Sequence, residues 1–252
     1  MDLQLKGKTA LVTGTSTNGI GRAIAIGLAS EGVRVAITAR RADALRALAD
    51  HISGAGFPAP VVIQADLYLP ETPEKLAREA LKQLGQVDIL INAAGGSRAV
   101  AWDAPLAAWD EGMTLNFFRL RELTNAILPS MIERKWGRVL NITGTSEPRS
   151  VNVASAAKAA VHAWAKGLSR EVGKHGITVN SIPPGRIHSE QMTRMFPTLE
   201  EERAFAEKDL PIPRFGEPEE LADLAVFLAS PRAGYITGTV VPVDGGLKMF
   251  AF

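Results

Sequence analysis

The densest run of chemically useful residues is Thr13-Gly14-Thr15-Ser16-Thr17-Asn18-Gly19-Ile20-Gly21, which follows an apolar stretch and opens a segment with Ile20, Ile24 and Leu28 on one side. Glycines let backbone N–H groups approach a phosphate closely, and a helix starting there adds roughly half a positive charge. A pyrophosphate can then be held with few charged side chains; the plainer alternative is a tight turn that ends a strand. Arg40 and Arg41 stand at the end of the next apolar run and offer a fork for a further phosphate, or are two solvated arginines opening a helix. Ser155-x-x-Lys158 has the form of a Ser–Lys acyl-transfer pair, yet the SDN and KTG elements that accompany that chemistry are missing. There is no cysteine, and His51, His162, His175 and His188 show no ligand spacing, so no metal is expected.

These residues need a frame. In 252 residues, 28 Lys and Arg against 27 Asp and Glu leave a net charge of +1, too little for a field that would hold nucleic acid or an anionic membrane. No run reaches the roughly 18 apolar residues of a membrane span, and the first residues lack the apolar stretch of a signal peptide, so a cytoplasmic protein acting on small molecules is expected. Seven short runs rich in Val, Ile and Leu recur at Thr9–Val12, Val33–Thr38, Val61–Gln64, Ile89–Ile91, Val139–Ile142, Thr178–Ile182 and Val240–Val243. They read as strands buried on both faces. Helix-period segments alternate with them, as in Val161, Trp164, Leu168 and Val172. Right-handed crossovers then give an α/β, Rossmann-like, doubly wound parallel sheet of seven strands with helices on both faces, as one domain over residues 1–252. The longest irregular stretch, about 183–213, holds Met192, Met195, Phe196, Phe205 and five prolines, and reads as a lid or as a packed surface excursion.

With the glycine turn placed after the first strand, the chain resembles the short-chain dehydrogenase/reductase family over essentially its whole length. The family's first turn usually reads TGxxxGxG; here four residues separate Gly14 from Gly19 instead of three, so the loop bulges. The resemblance implies cofactor contacts from Gly14, Thr15, Ser16, Asn18, Gly19, Ile20 and Gly21, from Asp66 and Leu67 at the adenine, and from Asn92, Ala93 and Gly95 of an NNAG-like segment. It also implies contacts from Lys158 at the ribose and from Pro184, Gly185, Ile187 and Ser189, a PGxxxT-like element whose hydroxyl reaches the nicotinamide carboxamide. Asn116 stands where the family has its helix-kinking Asn, and Val243-Asp244-Gly245-Gly246 resembles the closing strand. Ala39 stands where NAD-preferring relatives carry Asp, so NADP(H) is expected over NAD(H), with Arg40 and then Arg41 as partners. Family members commonly form tetramers or dimers, and the apolar tail Met249-Phe250-Ala251-Phe252 suits a subunit contact or folds onto its own core.

The catalytic part of the resemblance fails. The family places a Tyr four residues before the Lys, on one helical face, so that the ammonium lowers the phenol's pKa. Here that position is Ala154, and the only tyrosines are Tyr68 and Tyr235. Gly144 falls at the usual substrate-binding Ser, leaving Thr143, Thr145 or Ser146 as shifted substitutes, and the loop to Ala154 is short. Glu147 is a candidate acid, since a carboxyl in a closed apolar site can have a raised pKa, or it pairs with Lys158 or Arg149, or sits in solvent. The expected function is an NADP(H)-dependent oxidoreductase with substrate lodged near Thr143, Gly144, Thr145 and Ala154, protonated by Glu147, by water, or by a relay through Lys158 and Asn116. A cofactor-binding sensor or inactive partner subunit is the alternative.

Overall fold

The computed structural model describes residues 1–16, 18–97, 99–144 and 147–250. Six strands form one parallel sheet: β1 (Thr9–Thr13), β2 (Arg34–Ala39), β3 (Val61–Gln64), β4 (Ile89–Asn92), β5 (Gly137–Ile142) and β6 (Ile177–Ile182), in the order β3-β2-β1-β4-β5-β6. The order reverses between β1 and β4, where Ala10 pairs with Ile89 and Val12 with Ile91. Chains leaving those two strands diverge to opposite faces, and a crevice opens beyond their carboxyl ends.

Both faces are covered because the strands are apolar on both sides. On one face α1 (Ile20–Ser30), α2 (Ala42–Gly54) and α9 (Pro218–Ala229) pack Ile24, Leu28, Leu45, Leu48 and Leu221 against Val12, Val35 and Ile91. On the other, α3 (Thr72–Leu84), α5 (Arg119–Arg134) and α6 (Val153–Val172) pack Leu76, Leu123, Ile127 and Ala165 against Leu11, Leu90 and Val139. α4 (Leu106–Met113) reaches α5 through one wide π-helical turn, Thr114–Phe118.

Two expectations are corrected. The seventh run does not make a strand of the sheet, although Val240 and Val243 form parallel bridges with Ser181 and Pro184. Val241 and Val243 donate to the Ser181 and Pro183 carbonyls, but Pro183 has no N–H to give back, so the ladder beside β6 is interrupted there and only single bridges remain. The stretch about 183–213 is also less irregular than its prolines suggest: it folds into α7 (Glu190–Met195) and α8 (Leu199–Asp209). Thr198 and Glu201 start α8 as a capping box, and Met192, Ala206, Leu210 and Phe215 bury a small core beneath it. No helix of the described residues is long and apolar enough to cross a membrane.

Candidate active site

The glycine turn is fixed by close backbone packing. Gly14 has φ +73°, and a Cβ there would lie 2.9 Å from the Ala93 carbonyl; a Cβ on Gly21 would lie 2.5 Å from the Gly14 oxygen. Only glycine fits either place. Thr13 ties the turn to the end of β4, its hydroxyl accepting from the N–H groups of Ala93 and Ala94, each at 3.0 Å. Gly19 begins α1 without a side-chain cap, and the first turn of that helix carries no acidic residue. Its leading N–H groups therefore meet an anion without competition from the helix's own side chains, and the cradle that a Cβ would fill suits a phosphate. Ser16 and Gly14 line the cleft, Asn18 is exposed, and Ile20 packs on the core. Thr15 is turned away: it is 1% exposed, and its N–H and hydroxyl both point to the Thr38 carbonyl.

The cleft holds about 190 Å³ and runs from Gly14 past Ala39, Arg40, Asp66, Leu67 and Tyr68 to Ala93 and Gly95. Arg40 stands 5.8 Å from the ring centre of Tyr68, an aromatic wall that sequence reasoning left out. Arg41 is already engaged: it donates to the Ser16 carbonyl and, at 3.0 Å, to Glu190 at the start of α7. Asp66 accepts from the Tyr68 N–H at 3.0 Å, which shapes the loop after β3.

Asn92, expected at the cofactor, has its side-chain amide engaged inside the protein. The β4–β5 register sets it beside Asn141, and its amide hydrogens go to Asn141 Oδ1 at 3.0 Å and Thr124 Oγ1 at 3.1 Å. Asn116 is likewise spent inside the protein, accepting from Gly96 N–H at 3.1 Å and donating to the Gly112 carbonyl at 2.9 Å across the π-helical turn. That bond holds Gly95 so close that a Cβ there would lie 2.8 Å from Asn116 Oδ1.

Lys158 lies on α6 beside Gly144 and Gly95. A Cβ built on Gly144 would lie 3.2 Å from its Cδ and 3.7 Å from its Nζ, and one on Gly95 would lie 3.9 Å from its Cε. The ammonium makes no hydrogen bond or ion pair with a described residue, and burial pushes its pKa down to about 8. One turn on, His162 Nε2 meets the Thr143 hydroxyl at 2.8 Å; burial and then the Lys158 and Lys248 charges hold the imidazole below its usual range. Thr143 is 1% exposed and faces that histidine. Thr145 and Ser146 lie outside the described residues. Ala154 is buried beneath Asn152, whose side chain caps α6 by accepting from Ala154 N–H at 2.9 Å.

Glu147 is overturned as a raised-pKa acid. Its carboxylate accepts the N–H groups of Met249 at 2.8 Å and Phe250 at 3.1 Å, and these bonds, opposed by slight desolvation and aided by Lys248, hold its pKa below the usual carboxylate value. Tyr235 is fully exposed and Tyr68 stands at Arg40, so neither replaces the missing phenol.

Beyond β6, Pro184 and Gly185 run against Val243, and a Cβ on Gly185 would strike Asp244 Cα at 2.5 Å. Ile187 is buried in the core, and Ser189 caps α7 by accepting from Met192 N–H at 3.3 Å, which leaves its hydroxyl proton free to donate. His188 between them is clamped by Glu217 and Glu202, each at 2.9 Å.

A family model described as Enoyl-(Acyl carrier protein) reductase matches residues 14–248. The 3-oxoacyl-(acyl-carrier-protein) reductase of Haemophilus influenzae is 38% identical, covering 97% of this chain and all of its own. The 7alpha-hydroxysteroid dehydrogenase of Escherichia coli is 33% identical over 97% of this chain and 96% of its own. Among solved structures, L-sorbose reductase from Gluconobacter frateurii, complexed with NADPH and L-sorbose, superposes with a TM-score of 0.93 at 30% identity over 98% of both chains.

Proposed function

The chain belongs to the short-chain dehydrogenase/reductase family, and from that premise we propose that it is an NADP(H)-dependent oxidoreductase whose proton donor is Lys158. The observation that carries the reading is one cleft lined jointly by Gly14, Arg40 and Gly95. That lining joins a phosphate turn, a guanidinium fork and the edge of the Lys158 pocket. Arg40 would hold the 2′-phosphate, with Arg41 joining it on release from Glu190. Relatives divide on the cofactor: the sorbose reductase was solved with NADPH and a 7alpha-hydroxysteroid dehydrogenase with NADH. Ala39 and the two arginines tip this chain towards NADP(H).

When bound, the nicotinamide supplies a hydride for a carbonyl carbon or an activated C=C. The chain's residues must then provide a proton for the developing oxyanion. Glu147 is turned to the tail, and no phenol stands four residues before Lys158. Lys158 is buried, its ammonium has no hydrogen-bond or ion-pair partner among the described residues, and Gly144 stands in place of a side chain that would cover it. It donates directly or through one water held in the space above Gly144. The segment about 183–213, carrying Ser189 and α7, acts as a lid over this site.

Calorimetric titration with NADP⁺ and NAD⁺ tests the cofactor reading. NADP⁺ binds more tightly, and Arg40→Ala weakens NADP⁺ by about 10- to 100-fold while leaving NAD⁺ nearly unchanged. Equal losses for both, or no heat with either, refute it. Turnover of NADPH with ketones, 3-oxoacyl thioesters and enoyl thioesters separates an enzyme from a cofactor-binding sensor.

A further inference from the structure

Arg186 is a partly buried cation without a carboxylate of its own among the described residues. Its Nε is buried and has no hydrogen-bond partner, and its Nη1 reaches only the Met195 sulfur, at 3.9 Å. The guanidinium lies 4.8 Å from the ring centre of Phe205 and 5.8 Å from that of Phe196, so an aromatic wall flanks it. The nearby Asp209 is held by Arg149 at 2.6 Å. Burial, and then the Arg149 charge, hold the Arg186 pKa below its ordinary value, with Asp209 opposing them. Two guanidiniums thus draw on Asp209, and of the other carboxylates lining the roughly 310 Å³ cavity that Arg186 faces, Glu220 is paired with Arg214 and Asp244 accepts from the Gly246 and Lys248 N–H groups, so none is bonded to Arg186.

The position of this charge gives it meaning. Arg149 follows β5 and Arg186 follows β6, so both leave the carboxyl edge of the sheet, the side on which doubly wound folds bind ligands. The chain from β5 to Arg149 carries Gly144 over Lys158, and the chain from Arg186 leads to Ser189. We propose that Arg186, with Arg149 beside it, binds a carboxylate carried by the substrate, which makes the substrate class a small oxo or hydroxy acid with an apolar body. A planar fork matches a carboxylate bidentately, a guanidinium with no bonded carboxylate matches a monoanion, and Phe196, Phe205 and Met195 match the apolar body. This inference rests on the oxidoreductase reading for the identity of the reacting group, but the anion site is testable apart from it.

The probes are 4-phenylbutanoate, its neutral amide and 3-phenylpropyl phosphate, titrated calorimetrically into the full chain with and without NADP⁺. The carboxylate is expected to bind at least about 10-fold more tightly than the amide and the phosphate. Arg186→Met removes that preference while the amide affinity stays, and Arg186→Lys, which keeps a charge and an apolar stem, retains only part of it. A merely structural role would weaken carboxylate and amide alike, leaving their ratio unchanged, and would overturn the proposal. It is equally overturned if wild-type protein binds carboxylate and amide equally, prefers the phosphate, or binds no probe. Failure of the cofactor reading appears separately, as the absence of heat with NADP⁺ alone.

Discussion

If Lys158 is the acid, the pH dependence of the reaction must follow its ammonium. Burial lowers its pKa from 10.5 to about 8. An amine of that pKa is about nine-tenths protonated at about pH 7 and about one-tenth protonated at about pH 9. Carbonyl reduction therefore slows roughly tenfold across that interval, while the reverse oxidation, which needs the neutral amine as base, speeds up over the same range. A lysine at 10.5 would change the reductive rate by only a few per cent there. The assay is steady-state turnover in both directions under saturating dinucleotide, with the Lys158 titration followed independently by ¹³C-lysine NMR of the free protein. Lys158→Met should remove about 10² to 10⁴ in kcat, and Lys158→Arg should restore the charge without the rate, because guanidinium does not release its proton in this range. The stability effect has the opposite sign. The unfolded chain holds the proton that the native one surrenders, so stability rises with pH from about 8 towards 10.5. Lys158→Met should accordingly stabilise the free protein, by about 1–3 kcal/mol. A reductive profile flat between about pH 7 and 9, or a Lys158→Met enzyme with wild-type kcat, would refute the reasoning.

Glu147→Gln should leave turnover within about twofold and speed amide exchange at Met249 and Phe250, since its carboxylate caps those N–H groups; a 10²-fold loss of kcat would return it to the chemistry. His188 is opposed by burial, but its bonds to Glu202 and Glu217 outweigh that and raise its pKa above 6.5. The clamp joining α8 to the start of α9 is thus complete below about pH 6.5 and weakens as pH rises through the raised pKa. With the imidazole about two-fifths exposed, the effect is about 0.5–1 kcal/mol. Hydrogen exchange in α8, corrected for intrinsic rates, should increase from about pH 6 to 8 in the wild type and stay level in His188→Gln; identical behaviour of the two would dismiss the clamp.

How legible these features are in sequence depends on whether one element or two carry them. Gly14 and Gly21 announce themselves because a turn that tolerates no Cβ must spell glycine, and the parallel core because both strand faces must be apolar. The capping box of Thr198 and Glu201 is readable in the same way, and so is Pro183, which interrupts the seventh ladder. The internal partners of Asn92 and Thr143 were not readable because they come from elsewhere: a strand register presents Asn141 to one, and α6 presents His162 to the other. Glu147 meets N–H groups 102 and 103 residues away, a pairing that no local pattern encodes. Arg186 reads as one arginine among many until its Nε is found buried against aromatic rings.

The losses at positions 154 and 144 bear on Lys158 in the same way. A phenol at position 154 or a hydroxyl at 144 would solvate the ammonium and keep its pKa high; with Ala154 and Gly144 there, burial lowers it to about 8. The missing side chains are thus the reason that the remaining one can act as an acid. Gly144→Ser reverses the step in part. Its Cβ would sit 3.2 Å from Lys158 Cδ, so the lysine must yield by a few tenths of an ångström, and the new hydroxyl then accepts from the displaced ammonium. That bond favours the charged form, so the midpoint of the reductive pH profile should move up and the rate at neutral pH should fall, although the substitution restores a residue the family ordinarily uses. A midpoint that stays or moves down, with folding intact by thermal melt, would mean that burial alone does not set the acidity of Lys158.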